Sequence, residues 1–426
     1  MHKINQLKKL RYHHLAVLLL VSVYALITVG CGPTQLVSKA SSGAPGNGSS
    51  YTPSISADGR FVAFTSAADN FDQNDINSRR DVYVHDRENL TTERIFPTSH
   101  GTVQPSISGS GAYIALEVTV LQGNNLIYVI NRLSHNSWLA SISNDGITPA
   151  NDGSFKPSIS GDGRFVAFYS RATNLVDDDN NEVLDVFVRD RINQTNELIS
   201  VDNSGNQGNY SSFSPSISAD GRFVAFASDA SNLVDDDTNE HIDVFVHDRA
   251  NHTTEIISVR SNGNQGDADS QNPSISRDGR FVAFTSQADN LDPNDANALR
   301  DIFVHDRTNH TTELISVASN GNQGNRHSLL SFISADGRFV AFSSDATNLV
   351  RNDMNNATDI FVHVRANHTT ERVSVDRYGF EGDHDSDFPV ISADGRIVAF
   401  DSRASNLTVN RIEVRDVFVR DRDYNP

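Results

Sequence analysis

Pro215-Ser-Ile-Ser-Ala-Asp-Gly-Arg-Phe-Val-Ala-Phe226 is repeated along the whole chain. Near copies begin at Pro53, Pro105, Pro157, Pro273, Ser331 and Pro389. Their central glycines are Gly59, Gly111, Gly163, Gly221, Gly279, Gly337 and Gly395, spaced 52, 52, 58, 58, 58 and 58 residues apart. A period of this size marks a propeller, a solenoid or an array, and it overrides any domain count based on length.

The unit around Gly221 predicts four short strands. Residues 212–218 form strand A, and Asp220-Gly221 is a hairpin turn of the kind that favours type I′ geometry. Residues 222–228 form strand B. A polar loop, 229–242, leads to strand C at 243–248 (DVFVHD). A turn at 249–253 leads to strand D at 254–259 (TEIISV), and a second polar loop runs on to the next unit. Four strands per repeat make a propeller blade. Phe223-Val224-Ala225-Phe226 is apolar at consecutive positions, so both faces of strand B are expected to be buried. A blade packed between two others requires this.

The ends decide how the ring closes. The seventh unit has strands A, B and C (DVFVRD, 416–421) but no strand D. Thr34-Gln-Leu-Val-Ser38 matches Thr312-Glu-Leu-Ile-Ser316, which is a strand D. Ser38 precedes Pro53 by the same interval that separates Ser258 from Pro273 and Ser316 from Ser331. The expectation is an all-β, seven-bladed β-propeller of four-stranded blades, its last blade closed by the N-terminal strand 34–38. Closure of this kind removes an exposed edge.

The expected organisation is a signal segment at 1–30, a tether at 31–50 that includes the closing strand, and the propeller at 51–426. The chain of 426 residues carries a formal charge of -19. Lys3, Lys8, Lys9 and Arg11 lie in the first 30 residues with no acid, so the remainder carries -23 once these four are set aside. That excludes nucleic acid as an expected partner, because a phosphate backbone needs a basic surface. Residues 15–30 (LAVLLLVSVYALITVG) are apolar but short for a membrane span. They end at Cys31, the single cysteine, so no internal disulfide can form. Ile27-Thr28-Val29-Gly30-Cys31 resembles the lipobox of bacterial lipoprotein signals. The resemblance implies cleavage before Cys31, lipidation of its thiol and, with Gly32 following, an outer-membrane location.

The repeat resembles the TolB-like family of WD-repeat-related propellers. Ser-x-Asp-Gly-Arg-Phe-Val-Ala-Phe and Asp-[Val/Ile]-[Phe/Tyr]-Val-x-Asp carry the resemblance, which spans residues 34–422. It implies the propeller fold, while TolB's separate N-terminal domain has no counterpart here and its envelope role does not carry over.

The B–C loops repeat Asp-x-Asn-x-x-x-Asp: Asp75/Asn77/Asp81, Asp179/Asn181/Asp185, Asp237/Asn239/Asp243, Asp295/Asn297/Asp301 and Asp353/Asn355/Asp359. Hard cations such as calcium take several oxygen ligands, and alternate loop positions can supply them. These loops lack the glycine and terminal glutamate of an EF-hand. The favoured expectation is therefore that Asp and Asn cap turns and that no cofactor binds, with Ca2+ as the alternative. His85, His247, His305 and His363 recur in strand C, and His252, His310 and His368 in the turn after it. No third zinc ligand is evident beside them. Arg60, Arg164, Arg222, Arg280, Arg338 and Arg396 leave the hairpins beside repeated acids and read as structural ion pairs. No nucleophile motif, phosphate loop or dinucleotide fingerprint occurs. The non-repeated features are Trp138, Lys156 and the loop 381–387 (EGDHDSD).

In a propeller of this connectivity the long B–C and D–A loops emerge on one face and the short turns on the other. Binding is expected on the long-loop face. The favoured expectation is a lipid-anchored, monomeric envelope propeller that binds a protein or a glycan and is not an enzyme. The alternative is a polysaccharide lyase or glycosidase that uses the central channel.

Overall fold

A computed structural model describes residues 34–423, except residue 78 and residues 96–101, 120–123 and 410–413. Cys31 and the signal segment lie outside the described residues. Twenty-eight strands form seven antiparallel sheets of four. Blades 1 to 6 use strands at 50–94, 102–139, 154–198, 212–256, 270–314 and 328–372. Blade 7 uses three strands at 386–421 together with Thr34–Leu36. In blade 4, strands A to D are Ser212–Ile217, Phe223–Ser228, Asp243–Asp248 and Thr253–Ile256.

The closing strand pairs Thr34 with Arg420, Gln35 with Val419 and Leu36 with Phe418. Beyond it, the Val37 N–H donates to the Val417 carbonyl at 2.8 Å. Ser38 Oγ donates to Asp416 at 2.8 Å and accepts from the Val417 N–H at 3.0 Å. Ser258 makes the same two bonds, to Asp243 and from Val244, within the continuous blade 4. Val37 is buried in one cluster with Val62 and Phe64 of blade 1 and with Ala399 and Val419 of blade 7. The N-terminal strand therefore joins the sheet and also the packing between the first and last blades.

Both faces of strand B are used, as the unbroken apolar run requires. Phe223 and Ala225 pack toward blade 5 with Val282 and Phe284. Val224 and Phe226 pack toward blade 3 with Val186 and Val188. Phe226 stacks on Phe245 with centroids 5.9 Å apart, and equivalent pairs recur in blades 3, 5, 6 and 7.

Two local details differ from expectation. The hairpin is not a two-residue type I′ turn, because Gly221 has φ +75° while Asp220 is not among the residues with positive φ. The loop is longer, closed by Ser218 N–H to Phe223 O at 2.8 Å. It folds around the Asp220 carboxylate, which accepts from Ser218 Oγ at 2.6 Å and from the Arg222 N–H at 3.0 Å. A side chain at Gly279, the blade 5 equivalent, would put its Cβ 2.1 Å from Phe223, so glycine is needed for space as well as for backbone conformation. Strand D also ends early, at Ile256. Val259 N–H bonds back to the Ile257 carbonyl at 2.8 Å, which bends the chain away from strand C into the D–A loop.

Candidate functional site

The predicted B–C loop residues interlock the two long loops. Asn181 Nδ2 donates to the Gly208 carbonyl at 3.0 Å, and Asn239 Nδ2 to that of Gly266 at 3.0 Å. Both glycines belong to the following D–A loop. The same asparagines accept local N–H groups from Val183 and His241, as turn caps do. Asp179 and Asp237 accept from Gln207 and Gln265 at 3.2 and 3.3 Å. Asp185 and Asp243 open strand C, fully buried, and accept from Ser200 and Ser258. Burial raises all four carboxyls, Asp185 and Asp243 to about 6.

The repeated arginines are ion-paired. Arg222 reaches Asp248 at 2.6 Å, and Arg60, Arg164, Arg280 and Arg396 make the equivalent pairs. Beside the histidines the structure corrects one expectation. A third potential ligand is present: the carboxylate of Glu197 in the preceding blade lies with His247 and His252 so that one ligand atom of each falls within 4.8 Å of the others. It was invisible in sequence because it comes from a different unit. Glu197 is already held by Arg249 at 2.7 Å, which supplies its counter-charge. Of the non-repeated residues, Trp138 packs against Tyr113 and Arg191 in a remodelled second blade. The loop at 381–387 is tied down by Glu381 to Arg372 and by Asp387 to Arg415. Lys156 is different, because it faces the central channel.

The channel exposes a signal that the repeat had concealed. Each strand A carries a bulge, and its register shifts between Phe213 and Ser216 in blade 4. At the bulge one residue per blade takes positive φ: Thr52, Gln104, Lys156, Ser214, Asn272, Leu330 and Phe388. None is glycine, and six precede the repeated proline, which disfavours helical backbone at the preceding residue. Positive φ at such residues costs roughly 1–3 kcal/mol each. All seven line the central channel, a space of about 230 Å³. Every blade places a different side chain there.

The bulge also removes the local N–H from its ladder. Two neighbouring blades answer with buried acids from the fifth position of strand B. The Asp401 carboxylate accepts from the Thr52 N–H at 2.9 Å, and Glu117 accepts from the Lys156 N–H at 3.3 Å. Asp401 is balanced by Arg415 at 2.7 Å. Glu117 also accepts from Asn125 at 2.5 Å.

Around Glu117 a cavity of about 390 Å³ opens across blades 1 to 3, on the side of the long loops. Its walls include Tyr51, Gln104, Glu117, Asn125, Lys156 and Tyr169. Phe155 stacks on Tyr169 with centroids 5.4 Å apart, and the Arg80 guanidinium lies 5.0 Å over the Tyr51 ring. Burial lowers Lys156, with Glu117 opposing the shift, and raises Glu117 and Tyr169. Lys156 Nζ bonds Ser214 at 3.2 Å. The arrangement offers aromatic faces, two cations and several hydrogen-bonding groups around one carboxyl. Among the described residues lining the cavity, Glu117 is the single acid.

No protein-family model matches the chain, and no curated protein matches it. Solved structures do resemble it. The β-propeller domain of the Trilobed protease from Pyrococcus furiosus, described as having an open velcro topology, has a TM-score of 0.57 at 11% identity, covering 88% of this chain and 95% of that one. Oligogalacturonate lyase from Vibrio parahaemolyticus has a TM-score of 0.54 at 13% identity, covering 87% and 89%. TolB from Acinetobacter baumannii has a TM-score of 0.44 at 13% identity, covering 76% of this chain, which spans 64% of the TolB chain. What this chain shares with the two stronger matches is the fold, a β-propeller, here closed by its own N-terminal strand.

Proposed function

We propose that this protein is a lipid-anchored propeller of the bacterial cell envelope that binds a glycan at the long-loop mouth of its channel. One observation carries the reading: side chains that differ in every blade converge on the channel at seven bulged positions. Strained backbone held at one place in all seven units is a mark of selection for what those side chains present. The cavity is of the size that holds a small ligand. Tyr51, Phe155 and Tyr169 provide faces on which sugar rings stack, and Gln104, Asn125 and Lys156 provide directional hydrogen bonds. The envelope location and the anchor rest on the lipobox-like segment ending at Cys31.

The test uses the chain with Cys31→Ser on an array of bacterial polysaccharides. Tyr169→Ala and Lys156→Met should each weaken retention by at least about tenfold, about 1.4 kcal/mol, with unchanged melting. A chain that retains no polysaccharide, or variants that bind like the parent, would remove the reading. In cells, the native chain should fractionate with membranes and Cys31→Ser should not. A soluble native chain rejects the anchor.

The displaced protonation of Glu117 and Lys156 favours a second reading, a polysaccharide lyase or glycosidase. Unsaturated or shortened products from the retained polysaccharide, abolished by Glu117→Gln, would distinguish it from binding alone. A glycosidase working through paired carboxylates needs a second acid, and the described lining of the cavity holds one.

A further inference from the structure

Five blades place an aspartate pair beneath the B–C loop: Asp75/Asp81, Asp179/Asp185, Asp237/Asp243, Asp295/Asp301 and Asp353/Asp359. In every pair the second aspartate opens strand C and is fully buried. Two carboxylates withdrawn from water at close range need a counter-charge. In blade 1 that charge is Arg94, whose Nη2 lies 2.7 Å from Asp81 and 3.4 Å from Asp75. In blade 6 it is Arg372, with Nη1 3.2 Å from Asp359 and 3.6 Å from Asp353.

Both arginines occupy the last position of strand D, opposite Tyr83 and Phe361 of strand C. The same position in blades 3, 4 and 5 holds Leu198, Ile256 and Leu314, opposite Phe187, Phe245 and Phe303. In these three blades the aspartates remain and the internal cation does not. No ion pair with lysine or arginine reaches them among the described residues. Asp185 Oδ2 and Asp295 Oδ2 are buried with no hydrogen-bond partner, although Asp185 is fully buried and Asp295 is 8% exposed. A bare carboxylate oxygen in such a place points to a cation.

The groups around each pair are carboxamides, which turn their N–H groups toward the aspartates or the facing loop. Asn181, Asn239 and Asn297 come from the B–C loop, and Gln207, Gln265 and Gln323 from the D–A loop that follows. The glutamine lies 28 residues from its aspartate, so the loop spacing alone cannot reveal it. Blade 6 has Glu381 in place of this glutamine, 2.7 Å from Arg372. There an added acid accompanies the added base, so the blade 6 pocket keeps the formal charge of the pockets in blades 3 to 5, whereas in blade 1 Arg94 faces the two aspartates alone. With the amides turned so that their oxygens face inward, two carboxylates and two carboxamides would suit a hard divalent ion, and the flexible arrangement favours calcium over magnesium.

We propose that blades 3, 4 and 5 each bind a calcium ion between their two aspartates, in the place that Arg94 and Arg372 fill in blades 1 and 6. The loops at the long-loop mouth are then held by calcium on one arc and by guanidinium groups on the others.

The test is calorimetric titration of CaCl2 into the full chain after treatment with chelator, with MgCl2 as a control, alongside melting with and without CaCl2. The expected result is three equivalents of bound Ca2+ and a rise in melting temperature that MgCl2 does not reproduce. Leu198→Arg should install the internal cation in blade 3 and remove one equivalent. Leu198→Arg/Ile256→Arg/Leu314→Arg should remove all three and make the melt insensitive to CaCl2. Asp179→Asn is the second route to one lost equivalent should Leu198→Arg fold poorly. A parent chain with neither binding heat nor a melting shift overturns the proposal, and so does a stoichiometry that none of these substitutions changes.

Discussion

Deletion of residues 34–38 will lower the unfolding free energy by about 4 kcal/mol or more. The segment contributes the buried side chain of Val37, worth about 1.5–3 kcal/mol. It also supplies the hydroxyl of Ser38 to the fully buried Asp416. Losing a hydrogen bond to a buried carboxylate costs about 1–3 kcal/mol. Strand C of blade 7, Asp416–Asp421, would lose its outer partner and present an open edge. Denaturant unfolding measures the loss, and association of the truncated chain should accompany it. Val37→Asp, with every backbone bond retained, should reproduce a large part of the effect. A truncated chain with the parent's midpoint would show that the ring is held by the blade contacts alone.

The second large effect is a pH dependence specific to His247. Thr254 Oγ1 donates to the Val201 carbonyl at 2.5 Å, so it meets His247 Nδ1, 2.9 Å away, as an acceptor. The imidazole therefore carries a proton on Nδ1, and burial disfavours a second proton on Nε2. Burial lowers its pKa to about 4, assisted by His252 and Arg249 and opposed by Asp248. The folded value lies below the unfolded one, so this histidine's contribution is complete above about pH 6.5 and disappears as the pH falls toward 4. The shift is worth about 3 kcal/mol. Buried aspartates with raised pKa, such as Asp401 at about 7, respond in the opposite sense and must be cancelled. Comparison with His247→Gln achieves this. The stability difference, parent minus variant, should fall by about 3 kcal/mol between pH 7 and pH 4. A difference that stays constant would mean that His247 titrates normally in the fold.

Much of this architecture was legible in the repeat itself. The period, the four strands and the missing strand D are properties of spacing and apolar patterning, which single residues report. Closure was readable because Thr34–Leu36 and Ser38 keep the sequence of the strand they replace. The hairpin turn was misread because the Asp220 carboxylate, through Ser218 and the Arg222 N–H, organises a longer loop than Asp-Gly alone suggests. The channel mouth was nearly missed. Its residues stand just before the repeated proline, where the alignment of units seemed to begin, and only Lys156 stood out. Their variation resembles noise until the bulge turns them all toward one axis. Glu117 hid in a strand position that reads as Thr, Tyr, Ala or Ser in five other blades and as Asp401 in blade 7. Contacts between segments distant in sequence, such as Glu197 with His247 or Gln207 with Asp179, have no short-range signature at all.

At the opposite end of the channel, backbone amides link one hairpin to the next. Ala57 donates to Gly109, Gly161 to Ala219, Ala219 to Arg277, Arg277 to Ala335, Ala335 to Ala393 and Ala393 to Ala57, at 2.9–3.1 Å. These bonds run around the circumference and work as a hoop does on a barrel. Six of the seven junctions between hairpins carry such a bond, the junction of blades 2 and 3 being the exception among the described residues, so the bore at that end resists widening. The long-loop end is linked as well, by the N–H groups of Ser50, Ser212, Ser270, Ser328 and Ser386 to the carbonyls of Arg415, Leu184, Ile242, Arg300 and Thr358 in the preceding blade at 2.7–2.8 Å, but its channel side chains vary from stave to stave. A ligand bound at that mouth would meet a frame tied at both ends and a rim whose side chains differ in every blade. Accommodation to different ligands has to come from the rim, and evolution can recut that rim blade by blade without loosening the vessel.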